Sequence, residues 1–256
     1  MGNLIKMERY KLLHNIVFWI FIIAMPLLGF FSGPTYHGAF VAHEDCSVQI
    51  ESFSGVFNAM VADSYIILVA VNGLLGWFVG REFSLRTVSA EIASGNSRFD
   101  IFASKTIVYL TAYSSAMLLY PLAGAINQIG FFGIGELGDN LLNILRTSVY
   151  AYLLLSASFM VTITLAFIVR NGVITAIASP IVCFVMMCVF IMTNEHDLPR
   201  IIVFLDPYYR LREITSMGSS LSNGAFLNIP AIITSVVWLA ACSIIIWKNF
   251  AKSDLK

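Results

Sequence analysis

Charge is what this sequence has least of. Asp, Glu, Lys and Arg make up 12% of its 256 residues, where a soluble domain carries about 25%. That scarcity excludes an ordinary water-soluble domain, and 58% hydrophobic residues point to a bundle embedded in a membrane. Cysteine is scarce too. Four are present, without a Cys-x-x-Cys pair, so neither a disulfide framework nor a cysteine metal site is expected. Cys183, Cys188 and Cys242 fall in apolar windows, where a thiol behaves as a small hydrophobe; Cys46 alone falls in an outer loop. Catalytic motifs are missing as well: there is no His-Glu-x-x-His, no Gly-x-Ser-x-Gly and no Gly-Lys-Ser/Thr after a glycine-rich loop. His14, His37, His43 and His196 are scattered over different segments and form no spaced metal cluster. The expectation is a chain that is not an enzyme, binds no metal and does not itself hydrolyse ATP. One formal Gly-x-Gly-x-x-Gly, Gly133–Gly138, follows no strand and sits in no βαβ unit, so it reads as chance.

What is there is apolar length. Six stretches lack all four charged residue types: Leu12–His43, Ser64–Gly80, Thr106–Gly135, Thr147–Val169, Asn171–Asn194 and Ile214–Trp247. A spanning helix needs roughly 20 apolar residues, and the shortest window suffices once Phe57–Ala62 extends it past Asp63. Lys6, Arg9 and Lys11 precede a first run that continues too far for a cleaved signal peptide. With both termini inside, the inner segments hold Lys6, Arg9, Lys11, Arg81, Arg86, Arg98, Lys105, Arg170, Lys248, Lys252 and Lys256. The outer ones hold only Arg146, Arg200, Arg210 and Arg212. Acids lean the other way, with Glu44, Asp45, Glu51, Asp63, Glu136, Asp139, Glu195, Asp197, Asp206 and Glu213 outside. Basic residues set orientation, so the expectation is N-in, C-in. The fold class is an all-α membrane protein of six transmembrane helices, forming one domain over residues 1–256.

Residues 1–14 are amphipathic, with Leu4, Ile5 and Leu12 on one face and Tyr10 beside them. They suit either a short interfacial helix or a plain basic flank. Ser32–Phe57 reads as an outer loop with two turn signals. Arg81–Lys105 is the one sizeable inner loop: Glu82–Ile92 reads as a short helix exposing Arg86 and Glu91. Gly95-Asn96 would end it in a left-handed turn, and Ser97 would cap the next helix with Asp100 at its third position. Arg170-Asn171-Gly172 makes a tight inner turn. Residues 195–228 form an outer loop in which Asp206-Pro207 opens a helix at the outer boundary, re-entrant or interfacial, bearing Tyr208, Tyr209, Arg210 and Arg212. Pro26, Pro121, Pro180 and Pro230 interrupt or begin helices. Gly76-x-x-x-Gly80 permits close helix approach, read as packing in preference to gating. Asp63 is the nearest thing to an intramembrane charge and reads as a vestibule or boundary residue.

Six spans, an inner loop between the second and third, and an outer segment before the sixth resemble the permease subunits of ABC-2 type exporters. The local match is Glu82-(x4)-Thr87 followed by Ala93-Ser94-Gly95-Asn96-Ser97-Arg98 and Lys105, with Arg86-Thr87 where the family has Gly-Thr or similar. Asp206-Pro207-Tyr208-Tyr209 resembles the Pro-aromatic segment of the last outer loop. The resemblance implies that 82–98 is a coupling helix docking on a separate ABC ATPase, two copies per complex, with Glu82, Arg86, Thr87, Glu91 and Arg98 as coupling residues. It implies that Asp206, Pro207, Tyr208, Tyr209, Arg210 and Arg212 form an outer lid at the substrate exit. Partners would be that ATPase, a second permease copy or related chain, and membrane lipid, with no nucleic acid; no cofactor binds here, and ATP is used by the ATPase. Size and aromatic-rich spans look most like the bacitracin-resistance and lantibiotic-immunity group, bacterial plasma-membrane pumps that return antimicrobial peptides to the medium. Export of a drug or polysaccharide, or an unrecognised membrane enzyme or assembly factor, are the alternative readings.

Overall fold

The computed structural model describes residues 1–36, 40–43, 46–50, 52–133, 137–195, 204–217 and 228–251. Among these the helices are α1 (Gly2–Leu13), α2 (Ile16–Ser32), α3 (Phe53–Ala62), α4 (Tyr65–Ser84), α5 (Thr87–Ala93), α6 (Arg98–Phe132), α7 (Leu137–Val169), α8 (Gly172–Glu195), α9 (Pro207–Met217) and α10 (Ile229–Ala251). Six are long and apolar enough to cross a membrane: α2 with its extension to Tyr36, α4, α6, α7, α8 and α10. The architecture is that of a multi-pass membrane protein.

Three local expectations need correction. Ala62 and Tyr65 do not belong to one helix, because a turn at Asp63–Ser64 separates α3 from α4. All of α3 except Gly55 is buried, so this apolar segment packs inside the protein as a half-length helix instead of lengthening the second span. The 32–57 stretch is not only loop. It holds a 3-10 turn at Gly33–Tyr36, an antiparallel hairpin of β1 (Phe40–His43) and β2 (Cys46–Gln49), and the start of α3, which Ser52 caps by accepting from the Gly55 N–H at 3.1 Å. The third apolar window is only part of α6, whose 35 residues place Lys105 two turns inside the helix.

Turn chemistry follows the sequence closely. Gly95 adopts φ 88° between α5 and α6, and Ser97 Oγ accepts the Asp100 N–H at 3.0 Å. Arg170 takes φ 56°, while Asn171 Oδ1 caps α8 by accepting from Val173 N and Ile174 N at 3.0 and 3.2 Å. Gly133 ends α6 at φ 73°, which gives the first glycine of the formal motif a helix-stop role; residues 134–136 lie outside the described residues. The Gly76–Gly80 pair does serve packing. A Cβ on Gly80 would lie 2.9 Å from Gly172 Cα, and one on Gly76 would lie 2.9 Å from the Thr175 carbonyl oxygen, so α4 and α8 touch backbone to backbone.

Helix α7 is the hub and packs on α3, α4, α6, α8, α9 and α10. Buried hydroxyl and amide pairs stitch the spans: Thr162 donates to Asn72 at 2.5 Å and Ser114 meets Ser156 at 2.9 Å. Such pairs hold helices together where hydrophobic contrast with lipid is absent.

The two ends of the bundle differ. At one end α1, the 84–98 turn, the 170–172 turn and the end of α10 converge. Gly172 N donates to Ser84 Oγ at 3.0 Å, and Arg98 Nη1 to the Phe250 carbonyl at 2.7 Å. Lys6, Arg9, Lys11, Arg81, Arg86, Arg98, Lys105, Arg170 and Lys248 all fall there, and Lys252 and Lys256 lie outside the described residues. At the opposite end Tyr36 donates to Asp63 at 3.1 Å, Ser54 to Asn140 at 2.5 Å and Asn228 N to Tyr150 at 2.9 Å. Arg146, Arg210 and Arg212 belong to that half. The expected residues Arg200, Glu44, Asp45, Glu51, Glu136 and Asp197, with most of 195–228, lie outside the described residues.

Candidate functional site

The most highly charged interior in the described structure lies at the α1 end. Lys105 is fully buried on α6 and donates to Glu8 at 2.8 Å, to Glu91 at 3.2 Å and to Glu82. Lys11 reaches the same group, bonding Glu91 at 2.6 Å and Glu8 at 3.0 Å. Tyr109, one turn after Lys105, donates to Glu82 at 2.8 Å. Four elements meet here: Glu8 from α1, Glu82 from α4, Glu91 from α5, and Lys105 with Tyr109 from α6.

Helix geometry explains the convergence. Leu4, Glu8 and Leu12 are the buried residues of α1, four apart on one face, so the face that seats α1 carries an acid in its middle. Lys105 and Tyr109 repeat that spacing on α6. Removing charges from water costs several kcal/mol per ion unless partners are close and hydrogen bonds complete, and Lys105 spends its three donors on three carboxylates. Burial pushes the Glu8 carboxyl up, but the Lys105 and Lys11 ammoniums outweigh it and hold Glu8 below the usual range. Lys11 is raised despite burial and Lys105 repulsion, because Glu82, Glu91 and Glu8 surround it. Three carboxylates face two ammoniums, and the buried Glu91 Oε2 has no hydrogen-bond partner. The carboxylate oxygens of Glu8, Glu82 and Glu91 lie within 4.8 Å of one another, a cation-sized cage in which Lys105 is the cation.

Of the five coupling residues expected from sequence, the structure buries two, Glu82 and Glu91, and half-buries two more, Thr87 and Arg98. Glu82 belongs to the end of α4, not to the short helix. Glu91 is buried instead of exposed, because α5 spans only Thr87–Ala93 and its inner face meets α6. Arg98 bonds the end of α10 and lies 5.8 Å from the Phe250 ring centre. Thr87 donates to the Glu82 carbonyl at 2.8 Å and fastens α5 to α4. Arg86 alone is fully displayed, at φ 55°, beside a Leu85 that is 60% exposed. The exposed residues of this turn are Ser84, Leu85, Arg86, Ala90, Ala93, Ser94, Gly95 and Ser97.

The helix expected after Asp206-Pro207 is present as α9, but it packs into the bundle and does not lie on its surface. Asp206 Oδ1 caps it by accepting the Tyr208 N–H at 2.9 Å. Asp206, Pro207, Tyr208 and Arg210 are buried, since α9 packs on α3, α7, α8 and α10. Arg210 cannot serve as a ready phosphate ligand: it pairs with Glu213, donates to the Phe204 carbonyl at 3.2 Å and lies 4.8 Å over the Phe204 ring. Tyr209 and Arg212 are half-buried, and Arg212 adds positive potential at Asp63. Burial raises the Asp206 carboxyl to about 6, against the pull of the Tyr208 and Tyr209 N–H groups and Arg210.

Sequence reasoning missed Glu8, Lys105 and Tyr109 as site residues. The available signal was Glu8, the one acid before residue 44, placed between Leu4 and Leu12 on the apolar face. Over residues 12–256 the chain matches the family described as Protein of unknown function (DUF2705), and it belongs to that family. None of the curated proteins matches it.

Proposed function

We propose that this chain is the membrane-spanning subunit of an ATP-driven exporter of the ABC-2 type, with the α1 end in the cytoplasm of a bacterial cell. The substrate class that fits is an antimicrobial peptide or another amphiphile leaving the membrane. The orientation follows from charge: nine described bases gather at the α1 end, and cytoplasmic segments are the base-rich ones.

The observation that carries the reading is the way the 84–98 turn is fastened. Its outer side presents Leu85 and Arg86, a small knob for a soluble partner. Its inner side is locked by Glu91 and Thr87 to α4, α6 and, through Lys105 and Glu8, to α1. Pushing the knob therefore displaces three membrane elements together, because the ion cluster resists shear between them. A separate ATPase dimer, closing on ATP, would supply that push. The chain's contribution is transmission; the ATP chemistry belongs to the partner.

The test is copurification. Leu85→Asp and Arg86→Glu should weaken retention of a separate ABC ATPase subunit that copurifies with the unaltered chain, and lower substrate-stimulated hydrolysis, with membrane levels unchanged. Normal retention and hydrolysis in both variants would defeat the proposal.

A further inference from the structure

A cleft of about 510 Å³ runs between α1, α2 and α6, and none of the ion-cluster residues lines it. Its size lies within the roughly 300–1,000 Å³ typical of small-ligand sites. Along α6 it extends from Ile107 to Leu119, about 18 Å at the helical rise. The space is long enough for an extended hydrocarbon chain lying along α6.

Its lining is graded. Leu12, Phe18, Ile22, Ala112 and Leu119 are apolar, and Arg9 is the single charged residue. Arg9 stands on α1, the helix lying at the end of the bundle, and it is exposed. Neighbouring Lys11 is committed to Glu8 and Glu91, whereas no ion pair among the described residues involves Arg9. Trp19, beside the cleft at the start of α2, is 47% exposed and donates its indole N–H to the Leu13 carbonyl at 2.6 Å. That is the posture of a tryptophan at a membrane boundary. A base at headgroup depth beside a mostly apolar cleft fits a lipid with an anionic head and an acyl chain running inward.

We propose that the α1–α2–α6 cleft is a binding site for an anionic phospholipid, its phosphate on Arg9 and one acyl chain lying along Ala112 to Leu119. The site does not depend on the transport reading. It requires only that the chain spans a bilayer, and a failure of ATPase pairing would leave it untouched.

The probe is phosphatidylglycerol carrying a photoactivatable group on its acyl chain, added to the full chain in nanodiscs, with the phosphatidylcholine analogue as comparison. Labelling should concentrate on peptides from α2 and on 107–119, with phosphatidylglycerol favoured about fivefold, as for one base near a charged surface. Arg9→Gln, an exposed change that leaves the fold alone, should abolish the headgroup preference. Ala112→Phe should block labelling there while leaving scattered labelling elsewhere. Equal labelling by both lipids would reduce the cleft to ordinary bilayer solvation and overturn the proposal. So would labelling spread evenly over the lipid-facing residues of α8, or a copurified amphiphile other than a phospholipid filling the cleft.

Discussion

Lys105 of α6 and Glu8 of α1 form a 2.8 Å ion pair with both side chains fully buried. A helix that sequence reading places loosely at the membrane surface is thereby bolted to the third span. The pair has two further acids around it, Glu82 and Glu91, so its loss is asymmetric. Lys105→Ala leaves three carboxylates to Lys11 alone, whereas Glu8→Gln leaves two carboxylates facing two ammoniums.

Lys105→Ala should destabilise the protein by about 3–5 kcal/mol, the scale for leaving buried charge unpaired. Glu8→Gln should cost distinctly less while freeing α1 enough for protease to cut at Arg9 or Lys11. Thermal unfolding in detergent with limited proteolysis reads both. Equal, small effects from the two changes would show that the cluster is not a structural bolt.

The same cluster sets an acid limit. Glu8 is held below the ordinary glutamate value of 4.5 in the folded protein, so its contribution is present above that value and fades as pH falls through the folded one. Attachment of α1 should therefore be unchanged from pH 7 to 5 and weaken only in stronger acid. Protease sensitivity of α1 against pH checks this.

Asp206 behaves in the opposite sense. Burial raises it from 3.8 to about 6, so its protonated form is favoured in the fold and the associated stability is lost as pH rises through about 6. Asp206→Asn should keep the cap on the Tyr208 N–H and remove that pH dependence, while Asp206→Ala should lose about 1 kcal/mol of capping. Unfolding midpoints at pH 5 and 7.5 separate the three proteins.

Backbone contact between spans gives a fourth prediction. A methyl group on Gly29 would overlap the Tyr120 carbonyl, and one on Gly130 would meet open space. Gly29→Ala should destabilise by about 1–3 kcal/mol through overpacking of α2 against α6. Gly130→Ala should be neutral or slightly stabilising.

The spans, the turns and the sorting of charge between two ends were legible in sequence because each rests on local rules. Ten-residue α3 was not, since hydropathy alone cannot tell a buried half-helix from the start of a span. The ion cluster was harder still. Glu8 and Lys105 are 97 residues apart, and each alone looks like a boundary charge; only the i, i+4 neighbours Leu4 and Leu12 reveal that Glu8 faces inward. A helix at 207–217 was legible and its exposure misjudged: Tyr208 and Arg210 look interfacial by type, but both are buried because α9 packs on α3, α7, α8 and α10.

The central claim is that the 84–98 turn carries force from a cytoplasmic ATPase. Ser94 is exposed on that turn and its hydroxyl bonds only within it, to the Glu91 carbonyl and the Asn96 amide, so a crosslinker attached to Ser94→Cys should not disturb the cluster. In native membranes this probe should trap the ATPase subunit, with a yield that changes when ATP is added, and an impermeant thiol reagent should reach the same position only from the cytoplasmic side. Labelling from outside the cell, or an absence of any ATPase adduct at normal protein levels, would contradict the account.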